Sequence, residues 1–311
     1  MERIAAIIGA GLIGRAWTMV FARAGWRVRL YDHLPEQLEM AGEHIATSLA
    51  EQQIAGLVDD ADAAVDRVSM VTRIEDAVSD AAWVQENLPE LVQMKRDIFR
   101  VLDRGAPSSA VLASSTSAIP ASQFTENLTG RARCLVAHPV NPPHLVPIVE
   151  LCGAPWTSAA TVERAKSVMA EVGQVPIVVR REIDGFILNR LQGALLSEAM
   201  RLVGQGYVSP EDLDKTVAHG LGLRWSFMGP FATIELNAPG GVADYCARYS
   251  NIYRKLAAEP PGPEVWDGEQ AARVVAALGK PPTPSEREEK MNVRDRRLLA
   301  LARHKRDQSE L

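Results

Sequence analysis

The segment Ile4-Ala-Ala-Ile-Ile-Gly-Ala-Gly-Leu-Ile-Gly14 decides the fold of the N-terminal part of the chain. Its apolar run leads directly into three glycines and then into a helical segment. Gly9 permits a tight turn, Gly11 lets the backbone approach a pyrophosphate, and Gly14 lets the helix pack on the strand. Because a helix N-terminus favours anions, the segment predicts a dinucleotide site. The residues predicted to form it are Gly9, Gly11, Leu12, Ile13 and Gly14.

An acidic residue follows at the spacing that such a site requires. Asp32 lies 18 residues past Gly14, at the end of the next predicted strand. A carboxylate there binds both ribose hydroxyls of the cofactor and repels a 2′-phosphate. We therefore expect NAD, and not NADP, as the cofactor.

Length and composition limit the remaining possibilities. A chain of 311 residues suggests two domains, and 47% hydrophobic with 23% charged residues is typical of globular proteins. The net charge of -5 provides no basic field for nucleic acid or anionic lipid, so we expect neither partner. Three dispersed cysteines, Cys134, Cys152 and Cys246, argue against a disulfide framework or a metal site. With no secretion signal and no long apolar stretch, the sequence predicts a cytoplasmic protein.

The order of predicted elements indicates the fold class. Short β-branched runs alternate with helical segments to about residue 180, whereas the rest is helical with Gly and Pro punctuation. We predict an α/β protein in which a Rossmann-type, doubly wound, mostly parallel sheet over 1–183 precedes an all-α domain over 184–311. Between the second and third strands, 35–67 predicts a projecting helical pair or tail. The predicted strands are 3–8, 27–31, 68–72, 82–86, 110–114, 134–138, 146–151 and 175–179.

The first helical segment of the second domain is apolar on much of its circumference. Residues 184–203 are therefore expected to be buried on more than one side, against the first domain or a second subunit. A core helix covered within one chain is an equally good interpretation. The final 26 residues predict an amphipathic helix that packs on the surface.

A second group of polar residues clusters at strand ends. Ser117 follows a predicted strand and His138 ends one, so both fall at the carboxyl ends of strands, where ligands gather in an open α/β sheet. Glu150 lies twelve residues after the histidine, on the next strand. A buried carboxylate fixes the imidazole tautomer and stabilises the imidazolium that forms when histidine accepts a proton, as alcohol oxidation requires. The alternative is a structural histidine satisfied by a core hydrogen bond.

A third candidate opens the helical domain. Asn189 lies in Asp184-Gly-Phe-Ile-Leu-Asn-Arg190, where it interrupts an apolar helix face. A buried amide needs partners, which a substrate oxygen or the nicotinamide would provide. A capping or interdomain role explains the residue equally well.

Taken together, these motifs resemble the 3-hydroxyacyl-CoA dehydrogenase superfamily over residues 1 to about 250. The resemblance implies that His138 and Glu150 are the acid/base dyad and that Ser117 and Asn189 hold the reacting oxygen and nicotinamide. It also implies a homodimer formed by the helical domain. The matching motifs, in order, are the glycine loop with Asp32, Glu86-Asn-Leu-Pro-Glu90 before Met94-Lys95, Ser115-Thr-Ser117, His138-Pro-Val-Asn141-Pro, Glu150, Gly185-Phe-Ile-Leu-Asn189-Arg and Gly229-Pro-Phe231. Glu90, Lys95, Ser117 and Asn141 are thereby expected to bind the cofactor.

Two departures from the acyl-CoA members bear on the substrate. Their helical tail is typically lysine-rich, whereas 35–67 holds eight acidic residues and one Arg or Lys, Arg67, which would repel CoA phosphates. The stretch Gly220-Leu-Gly-Leu-Arg224-Trp225 also adds an arginine that could clamp a free carboxylate. A surface salt bridge is the alternative role for Arg224.

These departures make the chain most similar to the lambda-crystallin and L-gulonate 3-dehydrogenase branch. That similarity implies NAD-dependent oxidation of the 3-hydroxyl of a small L-3-hydroxy acid, held by Ser117, His138, Asn189 and Arg224. Carnitine dehydrogenases are also similar, and Trp225 with Phe227 could face their quaternary ammonium. An acyl-CoA dehydrogenase and a non-enzymatic, crystallin-like NAD-binding protein are further alternatives.

Overall fold

A computed structural model describes residues 3–308. The chain divides into two compact units. One runs to Asn189 and includes the described residues from Arg287 onward, and the other spans Arg190–Glu286. The predicted boundary at residue 183 lies a few residues before this division.

The first unit is built on one eight-stranded sheet. Each strand lies within two residues of its predicted position, because alternating or continuous apolar runs bounded by turn residues are strong strand signals. The strands are β1 (Ile4–Ile8), β2 (Arg27–Tyr31), β3 (Val68–Val71), β4 (Trp83–Glu86), β5 (Val111–Ser114), β6 (Cys134–Pro139), β7 (Ile148–Gly153) and β8 (Val175–Val179).

The strand order places the candidate site. It runs β3-β2-β1-β4-β5-β6-β7-β8, and every neighbouring pair is parallel except β6 with β7. The order reverses between β1 and β4, so the carboxyl ends of these strands flank a crevice of the kind that binds ligands in doubly wound sheets. This topology confirms the predicted fold class.

Helices cover both faces of the sheet, and the described residues of the second unit form helices joined by loops, with no strand. No helix within residues 3–308 has both the length and the apolar composition needed to cross a membrane. In the first unit the helices are α1 (Leu12–Arg23), α2 (Pro35–Ile54), α3 (Ala61–Val65), α4 (Ile74–Val78), α5 (Val92–Gly105), α6 (Ser122–Thr125) and α7 (Ala159–Glu171). They continue as α8 (Leu188–Gly204), α9 (Pro210–Thr216), a π-helical turn (Val217–Leu221), α10 (Gly222–Trp225), α11 (Pro230–Leu236), α12 (Gly241–Ala257), α13 (Gly268–Leu278) and α14 (Pro284–Arg306), with short 3-10 turns at Arg131–Arg133 and Pro263–Trp266.

The sheet separates two apolar clusters, one on each face. Ala5 and Ile7 of β1 point into one cluster, whereas Ala6 and Ile8 point into the other, as the two-residue period of a strand requires. Burial on both faces explains why β1 is a continuous apolar run.

Two helical segments differ from the sequence expectation. The helical pair α2 and α3 does not project as a tail, because Leu38, Ile45 and Leu49 of α2 are buried in the apolar cluster on one face of the sheet. The C-terminal helix α14 belongs to the first unit from Arg287 onward, although it was expected in the helical domain. Leu299 is buried there, and Arg306 donates a hydrogen bond to the carbonyl of Gly56.

A buried histidine lies where α1, α2 and α14 approach the loop after β6. His144 is 8% exposed, and its Nδ1 has no hydrogen-bond partner among the described residues. Burial, together with the charges of Arg23, His44 and Arg294, lowers the pKa of His144 to about 3. Its own carbonyl accepts a 2.7 Å hydrogen bond from Arg23. The fold therefore holds this imidazole in its neutral form.

We expect His144 to make the fold sensitive to mild acid. An unfolded histidine gains its proton below about pH 6.5, but the folded state does not, so the free energy of unfolding falls by up to about 1.4 kcal/mol per pH unit below that value. His144→Gln should flatten the decline between pH 6.5 and 4.5, measured by urea unfolding. His219→Gln, an exposed histidine, is the control. Equal slopes in both variants would contradict this assignment.

Candidate active site

The glycine turn between β1 and α1 has the geometry expected of a dinucleotide loop. Gly9 has a φ of 97°, a conformation that favours glycine. A Cβ on Gly14 would lie 1.8 Å from the carbonyl oxygen of Gly9, so only glycine allows the helix to approach the turn this closely. A Cβ on Gly11 would meet nothing within 4 Å, which leaves open space beside the first amides of α1. Leu12 and Ile13 supply those amides, and the arrangement fits a pyrophosphate.

Asp32 joins the glycine turn to the end of β2. Its Oδ2 accepts a 2.9 Å hydrogen bond from the amide of Ala10, and its Oδ1 accepts a 3.1 Å hydrogen bond from the amide of Leu34. The carboxylate thus braces the turn and also has the chemistry to bind ribose hydroxyls. This bracing role was not part of the sequence expectation.

The antiparallel pairing of β6 with β7 creates the central polar contact of the site. His138 and Glu150 are directly opposed in the register, and Nδ1 of His138 lies 2.7 Å from Oε2 of Glu150. Both side chains are buried, at 7% and 1% exposure. Nε2 of His138 makes no hydrogen bond to any residue within 3–308, so this nitrogen is available to a ligand.

The second oxygen of the Glu150 carboxylate binds the start of α8. Oε1 accepts hydrogen bonds of 2.8 and 3.0 Å from the amides of Ile187 and Leu188. Burial raises the pKa of Glu150, but the hydrogen bonds from His138 and from these two amides outweigh that effect and hold the pKa below its usual value. An ionised carboxylate only accepts hydrogen bonds, so Nδ1 of His138 carries a proton and Nε2 is left as an acceptor. A neutral imidazole held in this tautomer can accept a proton at Nε2.

The structure brings Asn189 to Ser117. Nδ2 of Asn189 donates a 2.8 Å hydrogen bond to the carbonyl oxygen of Ser117, and Ser117 itself is exposed in the loop after β5. Asn141, also exposed, follows β6. The amide of Asn189 thus fixes the loop that carries the Ser117 hydroxyl.

Glu90 shapes the same loop. Its Oε1 accepts 3.0 Å hydrogen bonds from the amides of Ser117 and Ala118, and a short one from the Thr116 hydroxyl. With one oxygen used in this way, Glu90 acts first as a brace for the Ser117 loop. The resemblance had indicated only that Glu90 binds the cofactor.

Lys95 lies elsewhere than expected. Its side chain is 1% exposed, and Nζ lies 3.0 Å from both carboxylate oxygens of Glu86, which is itself fully buried. Glu86 also accepts hydrogen bonds from the Ser114 hydroxyl and the Leu88 amide. Lys95 therefore does not line an open cofactor channel. Two buried charges are stable only when each compensates the other. Through its further hydrogen bonds to Leu88 and Ser114, the pair also stabilises the chain where it leaves β4 and β5.

A hydrogen-bonded network around Ser115 was missed from the sequence. The Ser115 hydroxyl accepts hydrogen bonds of 3.0 Å from Trp17 Nε1 and 2.7 Å from Gln85 Nε2, and it donates one of 2.7 Å to Asn87 Oδ1. These contacts tie α1, β4 and the loop after β5 together. The only sequence signal was a glutamine within the apolar strand β4, since buried polar groups need partners.

Arg224 lies in the second unit, on the short helix α10. The guanidinium is exposed and makes no ion pair with the described carboxylates. The alternative role for Arg224, a surface salt bridge, is therefore not seen among residues 3–308. Within this unit the charge of Arg224 lowers the pKa of the Tyr245 phenol, although the hydrogen bond that Tyr245 shares with Tyr253 raises that pKa more.

No group of three or more His, Cys, Asp or Glu side chains in the described part of the chain could hold a metal ion. The polar groups of the site are an imidazole, a carboxylate, two side-chain amides and a glycine turn. The glycine turn fits a dinucleotide, and the imidazole can accept a proton.

Comparisons with known proteins agree with this geometry. Residues 4–183 match the family described as "3-hydroxyacyl-CoA dehydrogenase, NAD binding domain", and residues 185–262 match its C-terminal domain. The first match confirms NAD as the cofactor.

Among individual proteins, lambda-crystallin from Oryctolagus cuniculus is 41% identical over 305 residues, which cover 96% of this chain and 95% of that protein. An L-carnitine dehydrogenase from Streptomyces griseus is 37% identical over 78% of this chain and 72% of its own length. Among solved structures, the NAD+-dependent dismutase 5-formyl-3-hydroxy-2-methylpyridine 4-carboxylic acid 5-dehydrogenase superposes with a TM-score of 0.85. It is 29% identical, and the match covers 99% of this chain and 100% of that one.

Proposed function

We propose that this chain, which belongs to the 3-hydroxyacyl-CoA dehydrogenase family, oxidises the 3-hydroxyl of a small L-3-hydroxy acid such as L-gulonate. The observation that carries the chemistry is the 2.7 Å contact between His138 and a Glu150 carboxylate that is itself saturated with hydrogen bonds. Such a pair accepts a proton without moving, because its orientation is fixed beforehand.

The proposed mechanism assigns one task to each residue. Nε2 of His138 accepts the proton of the substrate hydroxyl, and Glu150 stabilises the imidazolium that results. Ser117 and Asn189 orient the reacting oxygen. NAD, when bound, accepts the hydride from carbon 3. The glycine turn with Leu12 and Ile13 would hold the pyrophosphate, Asp32 the ribose, and Glu90 with Asn141 the loops beside it. Lys95 contributes through Glu86 rather than by contact.

Three observations support a free carboxylate as the substrate's second group. Arg224 has an exposed guanidinium with no carboxylate partner among the described residues, and guanidinium binds carboxylate in a bidentate manner. The segment 35–67 carries eight acidic residues, and those on α2, such as Glu39 and Glu43, are exposed and would repel CoA phosphates. The structural relative with the TM-score of 0.85 is itself named for a carboxylic acid substrate.

L-carnitine is a second candidate substrate, because exposed aromatic side chains flank Arg224. Trp225 is 41% exposed and Phe227 50% exposed. An aromatic face attracts a quaternary ammonium, while the arginine would still bind the carboxylate that carnitine also carries.

The dyad assignment predicts a specific kinetic pattern. Glu150→Gln and His138→Asn should each lower kcat for oxidation by about 10²- to 10⁴-fold, the range of general acid-base effects, while the Kd for NAD changes little. In Glu150→Gln the acidic limb of kcat/KM should also move to lower pH, because a proton on the imidazole loses its carboxylate partner. Glu163→Gln, an exposed carboxylate on α7, is the control. Turnover retained by either dyad variant would refute the assignment. A wild type without turnover would instead support the crystallin-like interpretation.

The substrate assignment is tested on a panel of L-gulonate, L-carnitine, L-3-hydroxybutyrate and its CoA thioester at matched concentration, read as NADH formation. We expect a preference for one free acid. Arg224→Met should lower kcat/KM for that acid by about 10- to 100-fold, the effect of losing a hydrogen bond to a charged group, and Arg224→Lys should recover part of it. Arg273→Met, an exposed arginine of the same unit, is the control. Preference for the thioester, or equal rates in Arg224→Met and wild type, would contradict the proposal.

We propose further that the helical unit forms a homodimer in the cytoplasm. Helix α8 was expected to be covered, yet Leu191 is 65% exposed, and Phe231 and Leu236 on α11 are 76% and 73% exposed. Apolar surface of this extent is typical of a subunit interface. Reduced cysteines fit the cytoplasm, and all three are free thiols.

Light scattering should therefore give a mass of twice 33.9 kDa at micromolar concentration. Leu236→Glu should shift that mass toward the monomer, because a buried charge without a partner disfavours the interface. Glu211→Gln, an exposed polar position in the same unit, is the control. A wild-type mass of 33.9 kDa at this concentration would exclude the dimer.

A further inference from the structure

The chain enters α8 through two consecutive residues in the left-handed region. Gly185 has a φ of 73° and Phe186 a φ of 47°. Glycine adopts this conformation readily, but a bulky side chain rarely does, and Phe186 is the one non-glycine residue with positive φ among residues 3–308. Residues held in this way persist only where the surrounding contacts fix them, and they are frequent at active sites.

The turn that these two residues form determines which groups face Glu150. Immediately after Phe186, the amides of Ile187 and Leu188 both point at Oε1 of Glu150, at 2.8 and 3.0 Å. Leu188 is the first residue of α8 and Ile187 directly precedes it, so neither amide has a partner within the helix and both need an external acceptor. A right-handed residue at position 186 would carry the chain in another direction, and the two amides would not converge on one oxygen.

The ring of Phe186 contacts the other half of the dyad. The side chain is fully buried in the apolar cluster on its face of the sheet, and its ring centroid lies 5.6 Å from that of His138, at an interplanar angle of 40°. One residue therefore combines a strained backbone that aims two amides at the carboxylate with a ring that packs on the imidazole.

We infer that Phe186 is a positioning residue for the proton transfer. Its buried ring holds the left-handed turn in place, and the turn in turn fixes the Glu150 carboxylate toward Nδ1 of His138. This inference rests on the proposed His138–Glu150 dyad. In this assignment Phe186 acts only through the dyad.

Few other groups can affect the charge of this carboxylate. His138 faces Glu150 from β6, the two amides face it from α8, and the residue opposite it on β8 is the apolar Ile177. Cys152 lies on the same strand as Glu150. Burial, together with the charges of Glu182 and Glu150, raises the pKa of the Cys152 thiol to about 12. Cys152 therefore stays protonated over the working pH range, and changes in the pH profile report on the dyad.

The test compares Phe186→Ala with Phe124→Ala. Phe124 is a buried phenylalanine of the same apolar cluster, on α6, and it stacks on Phe99 away from the dyad. Both variants lose the same side-chain volume, so both should lose a similar amount of thermal stability. We expect only Phe186→Ala to lower kcat by about tenfold or more and to move the acidic limb of kcat/KM to lower pH by about 0.5 unit, with the NAD Kd within about twofold of wild type.

A second variant keeps the test decisive if Phe186→Ala does not fold. Phe186→Leu retains most of the apolar volume and removes the ring, so it should show the same pH displacement with a smaller loss of kcat. A pH profile that coincides with that of Phe124→Ala, in whichever Phe186 variant folds, overturns the inference.

Glu150→Gln separates this result from a failure of the proposed function. If Glu150→Gln moves the acidic limb and the Phe186 variants do not, the dyad stands and only the role of Phe186 is wrong. If Glu150→Gln leaves the limb in place, the dyad itself fails, and the inference about Phe186 fails with it.

Discussion

The carboxylate of Glu150 is 1% exposed and accepts hydrogen bonds from His138 on β6 and from the amides of Ile187 and Leu188, where the chain enters α8. Removing an ion of this kind from water is costly, and the cost is offset only when every lone pair that faces the protein has a donor. The position of His138 and the entry of the chain into α8 are therefore linked through one side chain. Changes at either end are expected to disturb the other.

The reversal of one strand makes this arrangement possible. In a fully parallel sheet the carboxyl ends of strands share an edge, and polar residues gather there from loops. β7 runs antiparallel to β6, so a residue in the middle of β7 lies directly opposite a residue near the end of β6. Glu150 therefore faces His138 within the sheet itself. The loop groups around Ser117 and the glycine turn remain at the parallel edge, and Glu90, Asn189 and Asp32 brace them there.

Sequence patterns predicted the strands, the glycine turn and the His138–Glu150 pair because each rests on local periodicity or on a spacing of a few residues. Lys95 could not be placed in this way. A lysine in the first turn of α5 is expected to be available to a ligand, and only the folded structure shows that it forms a buried ion pair with Glu86. The place of α14 also depends on a partner far along the chain, since Arg306 reaches Gly56. The positive φ of Phe186 had no sequence signal, because phenylalanine does not favour that conformation.

The polar groups that the fold leaves without partners indicate where ligands bind. Glu86, Glu90, Glu150 and Ser115 each hold neighbouring groups in place through hydrogen bonds. Within the described residues, the first amides of α1, Nε2 of His138 and the guanidinium of Arg224 are not occupied in this way. An anion, a proton and a carboxylate are the respective complements of these groups. NAD carries the anion, and the proposed hydroxy acid would carry the proton and the carboxylate.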